Sequence, residues 1–72
     1  MKCEKVEIST EFIRLDSLLK FAGACTTGGQ AKLEILQGSV KVNGEICKMR
    51  GKKLRNGDKI SFDGKDYEVS AL

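Results

Sequence analysis

The chain has 72 residues, of which 40% are apolar and 32% charged, with a net charge of +3. That length fits one small domain with a modest core and leaves little room for the deep pocket of an enzyme. No apolar run approaches the length of a membrane span, and the absence of histidine rules out a Ser-His or Cys-His nucleophile pair.

Lys5-Val6-Glu7-Ile8 alternates polar and apolar, which predicts a short strand. Phe12 and Ile13 then tuck a turn onto the core. Leu15, Leu18, Leu19 and Ala22 fall at i, i+3, i+4 and i+7, one face of a first helix. Asp16 lies at its start, where a carboxylate suits the free N–H groups, and Gly23 suits the left-handed position that ends it. Arg14 and Lys20 are left on its outer faces.

The stretch Thr26-Thr27-Gly28-Gly29-Gln30-Ala31-Lys32 resembles a phosphate-binding loop at first sight. A P-loop needs Gly-Lys-Ser/Thr after a strand. Here Lys32 follows Ala31, Leu33 stands in place of the hydroxyl, and the segment follows a helix. Thr27-x-x-Gln30 instead fits a capping box, Thr27 accepting from the third N–H and Gln30 reaching back to Thr27. Ala31, Ile35 and Leu36 would form the buried stripe of a second helix stopped by Gly38.

After Gly38 the period changes to two. Ser39-Val40-Lys41-Val42 reads as a strand and Asn43-Gly44 as a hairpin turn. A two-residue turn sets Val42 opposite Glu45; a three-residue loop sets it opposite Ile46. Met49 to Arg55 is a basic connection interrupted by Gly51. Asn56-Gly57-Asp58 is a second turn, Lys59 to Phe62 a strand, Asp63-Gly64 a third turn, and Asp66 to Val69 the closing strand, with the first strand pairing near it. The fold class is therefore α+β: two short N-terminal helices on a small, mostly antiparallel sheet of about four to five strands.

Three widely spaced cysteines, Cys3, Cys25 and Cys47, make neither a disulfide framework nor a zinc site, and reduced thiols are expected. The N-terminus has no hydrophobic segment behind it, so the chain is expected to be cytoplasmic. Charge is unevenly placed: residues 41–59 hold seven basic and two acidic side chains, +5, while residues 1–40 balance to zero. Such a segment in a neutral frame is the footprint of a polyanion binder, although a solvated lysine-rich loop has the same composition.

The order of these signals resembles the RNA-binding module named after small-subunit ribosomal protein four, the alpha-L motif. Arg14-Leu15-Asp16 with Leu19 and Gly23 is similar to its first helix. Ala31, Gly38, Val40, Val42, Asn43 and Gly44 are similar to its second helix and hairpin, and Leu54 with Gly57-Asp58-Lys59-Ile60 to its ending. The motif core covers about residues 12–62 of a single domain spanning 1–72. The chain looks most like the stand-alone bacterial members of the YaaA/YbcJ type, which carry no catalytic domain. The family usually opens its second helix with Ser-Arg; here Thr27-Gly28 keeps the hydroxyl and lacks the arginine.

The resemblance implies a non-catalytic protein that binds structured RNA, ribosomal RNA or tRNA, in ribosome assembly or translation. It implies no cofactor, no metal, no membrane and no small-molecule substrate, with the ribosome as a further partner and a monomeric chain. Phosphates would be met by Arg14, Lys20 and Lys32 on the helices and by Lys41, Lys48, Arg50, Lys52, Lys53 and Arg55 beyond them. Thr27, Gly28 and Gly29 at the second helix start, and Asn43 and Gly44 at the hairpin tip, are the positions where backbone could approach RNA. Turn geometry alone also accounts for Asn43 and Gly44, and an ion pair for Arg14. Phe12, Phe21, Phe62 and Tyr67 are available for base stacking, with core packing favoured for the phenylalanines. The alternative is a protein-interaction module docking to a ribosomal or RNA-processing protein.

Overall fold

A computed structural model describes residues 3–71. Its elements in chain order are β1 (Cys3–Ile8), β2 (Ile13–Arg14), α1 (Leu15–Phe21), α2 (Gly28–Leu36), β3 (Val40–Val42), β4 (Glu45–Ile46), β5 (Lys53–Leu54), β6 (Lys59–Phe62) and β7 (Lys65–Ala71). Five strands form one sheet in the order β1-β7-β6-β3-β4, and β2 pairs with β5 in a second, two-stranded sheet. All pairings are antiparallel except β1 with β7, which run parallel from Cys3 opposite Asp66 to Ile8 opposite Ala71. The α+β architecture expected from the sequence is the one observed.

One apolar layer joins the helices to the sheet. Leu15, Leu18 and Leu19 of α1 and Ala31 and Ile35 of α2 pack with Val6, Ile8, Val40, Val42, Ile60, Tyr67 and Val69, and Leu54 of β5 is fully buried among them. Successive strand residues point to opposite faces, so burying Val40 and Val42 turns Lys41 to the face away from the helices. No polar or charged side chain is buried among the described residues.

The turns follow their residues. Asn43 and Gly44 both take positive φ, 52° and 86°, as do Asp63 and Gly64, at 53° and 75°. This is what two-residue hairpins of the type I′ geometry require. It settles the first hairpin register: Val42 lies opposite Glu45, leaving Ile46 opposite Lys41. The three-residue alternative would have paired apolar with apolar, but the Asn-Gly turn geometry prevails over side-chain matching.

Three local expectations are corrected. Leu36 does not join the buried stripe of α2 and is half exposed, because it lies about 100° around the helix from Ile35. Gln30 reaches back one residue further than a capping box asks: its Oε1 accepts from the N–H and hydroxyl of Thr26, at 3.1 and 3.0 Å, while Thr27 Oγ1 accepts from Gln30 N–H at 3.1 Å. Phe21 is an exposed ring at the end of α1, not a core residue.

Candidate nucleic-acid interface

A helix start leaves N–H groups without intrahelical partners. Arg14 is the N-cap of α1 and its side chain caps nothing. Asp16 satisfies one of these groups, as its place at the helix start suggests: its Oδ1 accepts from Ser17 N–H at 2.7 Å. The basic connection supplies acceptors for two more. Leu15 N–H donates to the Lys52 carbonyl at 2.9 Å, and Asp16 N–H to the Arg50 carbonyl at 3.1 Å. The connection is thus fixed through its backbone, and the side chains of Arg50 and Lys52 stay exposed.

The β2–β5 register adds two more cations, setting Arg14 directly opposite Lys53. Like charges opposite each other on paired strands repel. They are held there by the burial of Leu54 and by the backbone bonds to α1. The Lys53 ammonium lies 4.9 Å from the centre of the Phe12 ring. A contact of that kind contributes about 0.5–1 kcal/mol at an exposed site. The backbone therefore gathers Arg14, Arg50, Lys52 and Lys53 at the start of α1, and nothing in the sequence pattern marks Phe12 as a support there.

The other expected residues are spread around the molecule. Lys48 reaches across Gly38: a methyl group there would lie 3.4 Å from its Cε. Lys20 and Lys32 are exposed on α1 and α2, and Lys41 is exposed on the opposite sheet face. That face is mixed in sign: Lys5 and Lys59 flank Glu68 in adjacent strands, and Ser61 Oγ donates to Asp66 Oδ1 at 2.8 Å. Lys41 therefore lies outside the basic cluster.

Asn43 is engaged internally. Its Nδ2 donates to Asp58 Oδ1 at 3.3 Å, and its Oδ1 accepts from Lys59 N–H at 3.0 Å. Asp58 Oδ2 accepts from Arg55 N–H at 2.8 Å. The hairpin tip is thereby clamped to the turn that follows Arg55, a role the Asn-Gly signal alone does not reveal. Gly44 beside it faces open space.

At α2, a side chain at Gly28 would meet nothing within 4 Å, and one at Gly29 would only touch Thr27 Oγ1 at 4.0 Å. Thr27 takes the Gln30 N–H, so Gly28 and Gly29 carry the remaining donors of the first turn. The helix start is bare, as expected from its glycines.

No helix is long and apolar enough to cross a membrane, and no group of three metal-ligating side chains converges among the described residues. Two helices on one face of a mostly antiparallel sheet, with a basic connection locked onto the first helix, define the alpha-L class of small domain. The S4 domain profile matches residues 6–70, and the chain belongs to the S4 domain family.

Its relatives are of two kinds. It is 39% identical over 59 residues to the "Probable ribosome maturation protein RlbA" of Bacillus subtilis, covering 82% of this chain and 83% of that one. It is 37% identical over 59 residues to the "Putative RNA-binding protein YbcJ" of Escherichia coli, covering 82% and 84%. It is also 38% identical over 71 residues to "Ribosomal large subunit pseudouridine synthase B" of Xylella fastidiosa, covering 94% of this chain but only 15% of the synthase. The similarity to the synthase is thus confined to a small part of that protein.

Proposed function

We propose that this chain is a non-catalytic RNA-binding protein of a single domain, acting in the cytoplasm as a monomer in ribosome assembly or translation. It would recognise structured RNA, ribosomal RNA or tRNA, through the surface around the start of α1. The observation that carries the reading is the cluster of Arg14, Arg50, Lys52 and Lys53, held together against its own repulsion by the α1 backbone and by Leu54. A preorganised set of cations gains most from a polyanion, because bound counterions are released and no loop ordering is needed. Lys48 and Arg55 extend the same connection, with Lys20 and Lys32 contacting flanking phosphates. The first turn of α2, with Thr27, Gly28 and Gly29, would admit a phosphate to its N–H groups. The names of the two relatives of similar length, one a ribosome maturation protein and one an RNA-binding protein, support this assignment.

The test is direct binding of fluorescently labelled tRNA and of folded ribosomal RNA fragments at low and moderate salt. Affinity should fall steeply with salt for at least one of them. Failure to bind any of them at low salt would sink the reading. Pull-downs whose partners survive nuclease treatment would favour protein docking instead.

A further inference from the structure

The folded chain leaves two large apolar side chains beside the basic cluster. Ile46 is 59% exposed and Met49 68% exposed. They line one groove with Cys47, Glu45, Lys48 and Lys52. The groove is preformed: Cys47 N–H donates to the Val40 carbonyl at 3.0 Å, and Lys52 N–H to the Met49 carbonyl at 3.1 Å. Lys52 belongs both to this groove and to the four-cation cluster, so the two surfaces are continuous.

The chemistry of the lining selects an occupant. A nucleobase has apolar faces and polar edges, and its flanking phosphates are anionic. Ile46 and the polarisable thioether of Met49 offer apolar contact to a face. Lys48 and Lys52 offer ammonium groups to phosphates, and the Glu45 carboxylate can accept only from an amino or imino edge. Bases inside an A-form helix are stacked and hide their faces, so only an unstacked nucleotide can use such a surface.

We infer that this groove receives the base of an unpaired nucleotide, a bulge or loop residue, while the adjoining paired stem lies on the four-cation cluster. The subsite rests on the RNA-binding reading and adds to it the class of RNA preferred: a stem interrupted by an unpaired base.

Two RNA hairpins with the same stem test it, one fully paired and one carrying a single unpaired 2-aminopurine. The bulged hairpin should bind about tenfold tighter, the effect of burying about 55 Å² of apolar surface, and its 2-aminopurine emission should change on binding. Met49→Ser combined with Ile46→Ser should remove that preference while leaving affinity for the paired hairpin unchanged. Met49 lies outside every strand, so Met49→Ser alone carries the test if the double variant loses structure by circular dichroism. Equal affinity for the two hairpins, or a preference that survives the substitutions, would overturn the subsite while leaving salt-dependent stem binding intact. Failure of both hairpins to bind would remove the RNA-binding reading and the subsite with it.

Discussion

Replacing both Lys52 and Lys53 by glutamine probes the interface with little disturbance of the fold. Both side chains are exposed, and what caps α1 is the Lys52 backbone carbonyl, which glutamine keeps. The structural loss is the Lys53–Phe12 contact, about 0.5–1 kcal/mol. The binding loss is larger. Each phosphate contact contributes about 0.9 to the slope of log K against log salt on a duplex, so two lost contacts lower the slope by about 1.8. Extrapolated to a 1 M reference, this weakens binding about sixtyfold at about 0.1 M salt and only about fivefold at about 0.4 M. Fluorescence anisotropy on one labelled RNA across that salt range measures both numbers. Parallel salt plots for the variant and the parent would show that these lysines do not meet phosphates, whatever the change in affinity.

The remaining predictions concern the supports of the interface. Asn43→Ala removes both amide hydrogen bonds and sets alanine at a φ of 52°, and should destabilise the domain by about 1–3 kcal/mol in urea unfolding; an unchanged midpoint would refute the clamp. Gly28→Ala with Gly29→Ala fills open space at helical positions and should raise stability by about 0.4–1 kcal/mol per residue. The same pair should weaken RNA binding if phosphate approaches that turn, and unchanged affinity would exclude it. Burial pushes the Cys25 thiol up from its ordinary 9.0, aided by Glu34, and pushes the Tyr67 phenol up from 10.0, aided by Glu4, Asp63 and Cys25. The folded state then keeps protons that the unfolded chain releases, so their stabilisation is full below the unfolded values and is lost as pH rises through and beyond them. Unfolding midpoints should therefore fall as pH rises above about 9, less steeply for Cys25→Ala, and a flat profile would contradict the sign.

Much of the fold is legible in the residues because its stops and turns are local. Gly23 and Gly38 end the helices at φ of 78° and 81°, and both Asn-Gly and Asp-Gly form the hairpins they signal. The β2–β5 pair was not legible. Two residues a side carry no readable period, and the pairing is held by the burial of Leu54 and by α1 N–H groups whose acceptors, on Arg50 and Lys52, lie far along the chain. The same long-range bond explains the partial legibility of the interface. The excess charge of residues 41–59 is visible in the sequence, but its convergence on Arg14, and the separation of Lys41 from it, depend on tertiary placement. The outward turn of Phe21 and Leu36 is likewise a matter of which helix face meets the sheet.

The parallel pairing of β1 with β7 has a mechanical consequence. Cys3 lies at one end of this pair and Ala71 at the other, with six residue pairs in register between them. A pull applied to those two ends slides the strands past each other, loading all the bonds between them at once. A hairpin pulled at its open end instead parts one bond at a time. The domain should therefore resist stretching through its ends more strongly than its small core implies, and yield sooner when the β3–β4 hairpin is pulled at its open end, where Lys41 faces Ile46.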